Sequence, residues 1–299
     1  MVYNERLGSR AATILFKYVW QAIETYKILA REKADVAFVM TPPLFAGLAL
    51  VFYSWFRPLQ FVVDVHTAAL LMPRWQRLWW LQSFVCRRAT TTMVTNDHLA
   101  AMVQRSGGHT TIVRDVPVEY PCSPRYADKS AFTVAVICSF NYDEPIAEMM
   151  RAAAQLPEVR FLFSGDPKPL DAVLRANLPP NVSLTGFLSS ADYGSLLVHA
   201  DAVMSLTTRD HTMLRGAYEA IYSSTPVIVS DWPLLKESFD EGAVHVDNRA
   251  DGIAAGIRRV QADSAGFRAG AAALRQRKLL RWGQTKALIE ARIASRTRP

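Results

Sequence analysis

The segment DAVMSLTTRDHTMLRGAYEAIYSSTPVIVSD, residues Asp201–Asp231, decides the fold because it contains a complete strand–loop–helix–strand unit. The apolar runs at 202–206 and 227–229 predict two buried strands, and the pattern at 213–222 predicts the helix that joins them. Two strands with a helical crossover favour an open α/β sheet, in which ligands bind at the carboxyl ends of the strands.

The polar loop and the first helical turn of this segment form a candidate phosphate site. The amides that begin a helix have no partner within it and lie at the positive end of its dipole, which suits a phosphate or diphosphate. We expect Thr212, Met213 and Leu214 to present these amides. Glu219, two turns further on, could accept both hydroxyls of a ribose, or it could be a solvated helix residue.

The same segment resembles the donor-nucleotide site of the GT-B glycosyltransferases. In retaining members of that group a Glu-x7-Glu motif leads into a helix, a Gly-Xaa-Pro-Val-Ile turn and a strand that ends in Ser-Asp or similar. Glu219 matches the second acidic position, and TPVIVSD at 225–231 matches the turn and the strand. The first acidic position holds His211, which the resemblance places near the donor sugar as a candidate catalytic residue. This difference leaves the sugar and the stereochemistry open.

Three further apolar runs, at 134–138, 159–163 and 182–185, predict more strands of the same sheet. Each ends in small or polar residues, which let the backbone approach a nucleotide closely. The resemblance implies that the backbone beside Phe187 contacts the base. The candidate donor-binding residues are therefore Ser139, Asn141, Gly165, Asp166, Phe187, Arg209, Thr212, Met213, Leu214, Arg215 and Glu219.

The resemblance also implies a cation in the loop after the first strand of this domain, to bind the diphosphate. This chain has Ser-Phe-Asn-Tyr-Asp there, at 139–143. Arg209, Arg215 or Lys236 would then have to supply the charge, although each could also be a surface cation. The helix amino terminus and such cations would stabilise the leaving diphosphate, so we expect no divalent metal to be required.

The amino-terminal half also predicts parallel strands joined by helices. GT-B amino-terminal domains open with a strand, a Gly-rich turn and further strand–helix steps, whereas this chain opens with a predicted helix at 11–31. We therefore expect two Rossmann-like domains with an incomplete amino-terminal one. A partner chain could supply the missing strands, the domain could be reduced, or the start codon could be placed late. The predicted strands are 36–40, 61–65, 91–95 and 110–113, and the other predicted helices are 44–56, 75–88 and 97–105.

The segment Asp64-Val65-His66-Thr67 follows a hydrophobic strand and is the candidate chemistry of this half. Alternation along the strand places Asp64 and His66 on the same side, where we expect them to face the crevice between the domains. A carboxylate or imidazole there can deprotonate an acceptor hydroxyl, or contact the donor sugar in a retaining reaction. A similar Asp-Xaa-His-Thr segment occurs in the chitobiosyldiphosphodolichol β-mannosyltransferases, which act on a lipid-linked sugar at the cytosolic membrane face. Alternatively, His66 caps the strand and Asp64 bonds the backbone.

The charge distribution predicts a basic surface at both ends of the chain. Residues 1–125 hold 14 Lys and Arg against 8 Asp and Glu, residues 126–256 hold 9 against 17, and residues 257–299 hold 11 against 2. We expect an acceptor-side domain at 1–125, a nucleotide-sugar domain at 126–265 and a basic helix or tail at 266–299 that crosses back. Such a surface suits an anionic membrane.

Two aromatic segments favour membrane contact without a span. The apolar run at 44–56 has thirteen residues, where a spanning helix needs about 20. The segment at 72–80 combines arginine with three tryptophans, as is common at the headgroup level. Both could instead be helices packed on the sheet. The start of the chain has no signal-peptide pattern, so we expect a cytoplasmic protein, peripheral at the inner membrane face.

Other functional classes receive little support from the sequence. Cys86, Cys122 and Cys138 lack metal-site spacing, and the six histidines contain no ligand pair, so we expect no structural metal. No motif for nucleic-acid binding accompanies the basic charge. The sequence predicts a glycosyltransferase that moves a sugar from a nucleotide-sugar donor to a lipid-linked or membrane-proximal glycan acceptor, in polysaccharide biosynthesis. The alternatives are a nucleotide-sugar epimerase and a non-catalytic glycosyltransferase-like subunit.

Overall fold

The structure, a computed structural model, describes residues 11–127 and 130–296. The chain divides into two compact units: the first runs up to Arg114 and takes in the residues from Gly283 onward, and the second is Asp115–Trp282. Both are α/β units built on parallel sheets, as the sequence predicts.

The first unit contains a four-stranded parallel sheet in the order β1-β2-β3-β4. Its strands alternate with helices along the chain, which is the crossover connection that parallel pairing requires. The elements are α1 (Ala11–Glu32), β1 (Val36–Thr41), α2 (Leu44–Ser54), β2 (Gln60–Val65), α3 (Thr67–Leu71), α4 (Pro73–Gln76), α5 (Trp79–Arg88), β3 (Thr91–Val94), α6 (Asp97–Arg105) and β4 (Thr110–Ile112).

Most of the predicted apolar helix at 44–56 packs into the core of this unit. Leu44, Leu50 and Val51 of α2 are at most 2% exposed, because helices that cover a parallel sheet bury an apolar face against it. The aromatic residues at its carboxyl end, Phe52, Trp55 and Phe56, remain about half exposed or more. Within the described residues, no helix is both long enough and apolar enough to cross a bilayer.

The second unit contains a six-stranded parallel sheet in the order β10-β9-β8-β5-β6-β7. Chain order proceeds outward from β5 to β7 on one side and from β8 to β10 on the other, so the direction of winding reverses between β5 and β8. In open α/β sheets, ligands bind outside the carboxyl ends of the strands at such a reversal. The strands are β5 (Thr133–Ile137), β6 (Arg160–Ser164), β7 (Val182–Gly186), β8 (Ala202–Ser205), β9 (Val227–Ser230) and β10 (Ala243–Val246).

Helices cover both faces of this second sheet. Alternation along β5 sends Val134 and Val136 into one apolar cluster, with Phe161 and Phe163 of β6, and sends Ala135 into the other. The sheet is thereby packed between two buried apolar clusters, one on each face. The helices are α7 (Ile146–Ala154), α8 (Ala172–Ala176), α9 (Ser190–His199), α10 (Arg215–Tyr222), α11 (Pro233–Ser238), α12 (Ala250–Ala262) and α13 (Ser264–Arg296).

The contacts divide the chain at residues 115 and 283, whereas the sequence predicts divisions at 126 and 266. Asp115 joins the second unit because its buried carboxylate lies 2.5 Å from Nζ of the buried Lys278 on α13. The end of α13 belongs to the first unit, where Arg292 donates hydrogen bonds to the carbonyl of Thr110 and the hydroxyl of Thr111. Long-range polar contacts of this kind leave no local pattern in a sequence.

Candidate functional site

A cleft of about 410 Å³ opens at the carboxyl ends of β5 and β8, where the winding of the second sheet reverses. The structure brings seven of the predicted donor-site residues together in its lining, namely Ser139, Asn141, Thr212, Met213, Leu214, Arg215 and Glu219. The predicted residues outside the lining are Gly165, Asp166, Phe187, Arg209 and His211.

The loop that leaves β8 is fixed by hydrogen bonds from the two neighbouring strand ends. The amide of Thr207 donates to Oγ of Ser230 at 2.8 Å. The carbonyl of Thr207 accepts from the indole of Trp232 and from the side-chain amide of Asn248, both at 2.9 Å. These contacts aim the chain from β8 toward α10.

Helix α10 begins at Arg215, two residues later than the predicted Met213. Leu214 is the N-cap and is extended, with φ −97° and ψ 106°, and its carbonyl accepts from the amides of Ala217 and Tyr218. In the described part of the chain, the amides of Met213 through Gly216 have no acceptor. Free amides at the amino terminus of an eight-residue helix therefore line the cleft and suit an anion.

Gly216 allows this helix terminus to approach β5 closely. A Cβ on Gly216 would lie 2.7 Å from Cβ and Cγ2 of Ile137, closer than packed carbons approach.

We expect Gly216→Ala to destabilise the protein by about 1–3 kcal/mol, the usual cost of overpacking, and to weaken anion binding because the helix terminus must move. Thermal unfolding and titration with pyrophosphate would measure both effects. Gly283→Ala is the matched control, since a Cβ on that helical glycine meets nothing within 4 Å. A Gly216→Ala protein with unchanged stability and affinity would contradict this packing argument.

Glu219 is 3% exposed, and its carboxylate is already bonded by the protein. Oε1 accepts from the hydroxyl of Tyr120 and from Nε of Arg215, each at 2.7 Å, and Oε2 accepts from the hydroxyl of Tyr193 at 2.6 Å. A carboxylate has about four lone-pair positions, so three are filled and room for one further hydrogen bond remains. This differs from the sequence-based expectation that Glu219 is free to accept two ribose hydroxyls.

The two tyrosines in this network remain hydrogen-bond donors. Burial raises the pKa of the Tyr193 phenol far above its usual range, and the adjacent Glu219 carboxylate raises it further. Burial and the hydrogen bond to Glu219 also raise the pKa of Tyr120. Neither tyrosine could be predicted from the sequence, because Tyr120 is 99 positions from Glu219 and Tyr193 is 26 positions away.

Arg215 is the candidate cation that lines the cleft. Its guanidinium bonds Glu219 through Nε and the hydroxyl of Tyr120 through Nη2 at 3.4 Å, while the side chain stays 71% exposed. The hydrogen bond to Glu219 raises the pKa of Arg215, so the group stays charged. Arg209 instead donates to the hydroxyl of Tyr142, and Lys236 pairs with Asp231 at 2.6 Å.

The loop after β5 also has its amides occupied by a protein side chain. The carboxylate of Glu144 accepts from the amide of Ser139 at 3.0 Å and from the amide of Asn141 at 2.9 Å. Phe140 between them has φ 55°, and this left-handed conformation turns successive amides toward one point. Burial raises the pKa of Glu144. The predicted ligand contacts of Ser139 and Asn141 are thus made by Glu144, which the sequence analysis did not single out.

The other predicted residues of the second unit lie at neighbouring strand ends. Gly165 follows β6 with φ 148°, and a Cβ there would lie 2.0 Å from the carbonyl oxygen of Cys138. The carboxylate of Asp166 accepts from the amide of Lys168 at 3.1 Å. Phe187 follows β7 with 83% of its surface exposed. His211 adopts φ 57°, and its Nε2 lies 3.7 Å from Oδ2 of Asp210.

In the first unit, Asp64 and His66 lie together at the carboxyl end of β2, on one side as strand alternation predicts. Nε2 of His66 is 3.6 Å from Oδ2 of Asp64, and both side chains are partly exposed. The neighbouring Asp64 carboxylate raises the pKa of His66, against a smaller opposing effect of burial. A raised folded pKa means that the charged pair stabilises the fold at low pH and stops doing so as the pH rises through that pKa.

We expect Asp64→Asn to lower the pKa of His66 to its ordinary value of about 6.5 or below, because the stabilising carboxylate is lost while burial remains. NMR titration of the His66 ring protons would measure the shift. Asp97→Asn is the control, since Asp97 pairs with Arg114 and should leave the titration unchanged. An unaltered pKa in Asp64→Asn would show that the two side chains do not interact in solution.

Within the ranges that the structure describes, the side chains form no candidate metal site, and the cysteines are free thiols. No cluster of three or more His, Cys, Asp or Glu side chains there could hold a metal ion. Cys86 and Cys138 are buried free thiols, and Cys122 is exposed.

Comparisons with known proteins agree with this architecture. Residues 144–285 match a family model described as glycosyl transferase-like. Sucrose-phosphate synthase from Thermosynechococcus elongatus superposes with a TM-score of 0.74 at 17% identity, over 95% of this chain and 80% of that one. HepE from Anabaena, solved with UDP-glucose, gives 0.70 at 16% identity, over 91% and 82%. Trehalose 6-phosphate synthase from Burkholderia multivorans gives 0.69 at 12%, over 96% and 77%. No curated protein matches the sequence significantly. At these identities the structural likeness establishes the GT-B fold.

Proposed function

We propose that this protein, a transferase of GT-B fold whose residues 144–285 match the glycosyl transferase-like family model, moves a sugar from a nucleotide-sugar donor to a lipid-linked or membrane-proximal glycan acceptor. The observation that carries the proposal is the cleft at the carboxyl ends of β5 and β8. It combines free amides at the start of α10 with the guanidinium of Arg215.

The donor diphosphate would bind these amides and Arg215. Amides fixed at a helix terminus cost no reorganisation when the diphosphate leaves, so they stabilise its developing charge without a divalent metal. HepE was solved with UDP-glucose, which makes UDP the first nucleotide to test. The exposed Phe187 and its backbone, at the end of β7, would contact the base.

We assign Glu219 a positioning role in place of the full ribose contact. Its carboxylate holds the Nε edge of Arg215 and the hydroxyls of Tyr120 and Tyr193, which leaves Nη1 and part of Nη2 of the guanidinium for phosphate oxygens. Because these contacts fix the plane of the guanidinium, its remaining N–H groups can make two parallel hydrogen bonds to a phosphate. One ribose hydroxyl could still reach the remaining position on Glu219.

The acceptor chemistry is proposed for Asp64 and His66. A neutral imidazole oriented by a carboxylate can remove a proton from an acceptor hydroxyl. Because the pKa of His66 is raised, the neutral form of this side chain predominates only at a correspondingly higher pH. His211, at the position of an acidic residue in retaining relatives, is the candidate contact to the donor sugar.

Exposed aromatic residues of the first unit support the choice of a membrane-proximal acceptor. Phe52, Trp55, Phe56 and Trp80 are 49–67% exposed, and aromatic side chains are favoured at the headgroup level. We propose a protein of polysaccharide biosynthesis, peripheral at the inner membrane face. The edge strand β1 also exposes Phe38 and Met40 on one face, which supports a partner chain that covers this face.

A thermal-shift screen with UDP, GDP, dTDP and ADP tests the proposal. A diphosphate at a hundred times its Kd should stabilise the protein by about 2.7 kcal/mol through mass action. The matching nucleosides serve as controls because they lack the diphosphate. If none of the four diphosphates raises the unfolding temperature, the proposed donor site is wrong.

A non-catalytic subunit remains the second candidate, because Glu144 and Glu219 are both engaged by the protein's own groups. A transfer assay with the wild type and Asp64→Ala separates the two. A glycosyltransferase should transfer sugar and lose that activity in Asp64→Ala, whereas a non-catalytic subunit should show no transfer in either protein. The epimerase alternative requires isomerisation of a nucleotide sugar without an acceptor, and nothing in the cleft favours it.

A further inference from the structure

The loop after β5 forms an anion-binding nest that already holds an anion. Both oxygens of Glu144 lie 3.0 Å from the amide of Ser139, and Oε2 is 2.9 Å from the amide of Asn141. The amides of Ser139 and Asn141 therefore converge on one carboxylate. Nests of this geometry bind phosphates in other proteins.

The nest lies within the lining of the same cleft as α10. Ser139, Asn141 and Glu144 line it together with Arg215 and Gly216. A diphosphate bound to the α10 amides would therefore find the next set of amides occupied by a carboxylate. Of the carboxylates in the lining, Glu219 pairs with Arg215 and Asp143 with Arg209, so the charge of Glu144 weakens the binding of an anion while it stays in the nest.

The side chain of Glu144 has a way out of the nest. It is only partly buried, and no cation pairs with it among the ion pairs of the described residues. Burial raises the pKa of Glu144, while the amide hydrogen bonds lower it, so burial of the charge opposes the hydrogen bonds that hold the carboxylate in the nest. A ligand that offers those amides a phosphate oxygen would replace the same hydrogen bonds.

We propose that Glu144 is an internal competitor of the donor diphosphate, which occupies the Ser139–Asn141 amides and must leave them before the donor binds fully. This inference deepens the proposed function and rests on it for the identity of the donor. The physical consequence is that Glu144 lowers the affinity of the cleft for diphosphates. Its departure would couple donor binding to a rearrangement of the β5 loop.

A purely structural role for Glu144 makes the opposite prediction. If the carboxylate only shapes the loop, its loss disorders the amides that a phosphate needs, and affinity falls. If it competes, its loss frees those amides, and affinity rises. Both roles predict lower thermal stability, so the sign of the affinity change is the deciding quantity.

Calorimetric titration of Glu144→Gln with inorganic pyrophosphate and with UDP tests the inference in the full-length protein. We expect pyrophosphate to bind about 10-fold or more tightly than to the wild type, because a charged competitor with hydrogen bonds worth about 1.5–3 kcal/mol is replaced by a neutral one. Asp143→Asn is the matched control. It removes a carboxylate from the same lining that pairs with Arg209 at 3.9 Å and does not bond the nest, so its effect should stay below about 2-fold.

A second variant guards against loss of loop structure. Glu144→Asp keeps the charge but is one methylene shorter, so it cannot bond Ser139 and Asn141 in the same geometry. It should also bind pyrophosphate more tightly than the wild type, by a smaller factor. Circular dichroism and thermal unfolding would confirm that each variant is folded.

The outcomes separate this inference from the proposed function. Tighter pyrophosphate binding by Glu144→Gln with no nucleotide binding by any variant would support the competitor and reject the donor site. Nucleotide binding by the wild type with equal or weaker binding by Glu144→Gln would reject the competitor and keep the function. If Asp143→Asn and Glu144→Gln increase the affinity for pyrophosphate equally, the effect comes from net charge alone and the proposal is overturned. Absence of all binding in every variant would overturn both.

Discussion

Arg215→Ala should weaken the binding of pyrophosphate and of the cognate nucleoside diphosphate by about 10- to 100-fold. The guanidinium is the cation in the cleft lining, and hydrogen bonds to charged groups contribute about 1.5–3 kcal/mol. The Arg215 side chain is 71% exposed, but its loss leaves the buried Glu219 carboxylate without a cation, so we also expect a lower unfolding temperature. Titration calorimetry with both ligands would measure the affinity, and thermal unfolding would measure the stability.

Two companion variants make this prediction specific. Arg215→Lys keeps the charge but lacks the planar fork that bonds Glu219 and a phosphate together, so it should recover only part of the affinity. Arg209→Ala removes a cation that lies outside the lining, bonds Tyr142 and pairs with the lining residue Asp143 at 3.9 Å, and it should change the affinity by less than about 3-fold. If Arg209→Ala has the larger effect, the diphosphate binds elsewhere.

The parallel sheets could be predicted from the sequence because their signals are local. Buried strands of a parallel sheet are continuous apolar runs, and every predicted strand lies within two residues of an observed one. Helix α6 was predicted with its observed bounds because Asn96 caps it through the amide of Leu99. The predicted helix at 75–88 is instead two helices, α4 and α5, because Leu78 leaves the helical region with φ −104° and ψ 17°.

The candidate site could be predicted only in outline. The strand–loop–helix order placed the amides of α10 near the strand ends, and the cleft is there. Whether a carboxylate is free or engaged depends on partners that the chain brings from far away, as Tyr120 shows for Glu219. The Glu144 contact is local, but it depends on the left-handed conformation of Phe140. A phenylalanine rarely adopts this conformation, so the sequence does not predict it.

Glu219→Ala should have the largest effect on stability, about 3 kcal/mol, or a fall of about 6–12 °C in unfolding temperature for a unit of this size. The loss removes the acceptor of two tyrosine hydroxyls, of which that of Tyr193 is buried, whereas the exposed Arg215 can turn to water. Differential scanning calorimetry would measure it. Tyr218→Phe, on the same helix, is the control because the Tyr218 hydroxyl makes no hydrogen bond within the described residues.

The two roles of Glu219 separate when Glu219→Gln is titrated with two ligands. A residue that positions Arg215 acts on the diphosphate, so pyrophosphate and nucleoside diphosphate should lose affinity by the same factor, about 10-fold if one charged hydrogen bond is lost. A residue that binds the ribose acts on the nucleoside alone, so the affinity for pyrophosphate should stay unchanged while that for the nucleotide falls. We expect the equal loss, because three of the four acceptor positions on this carboxylate already hold Tyr120, Tyr193 and Arg215. If only the nucleoside diphosphate loses affinity, Glu219 binds the ribose, and Tyr120 alone orients Arg215.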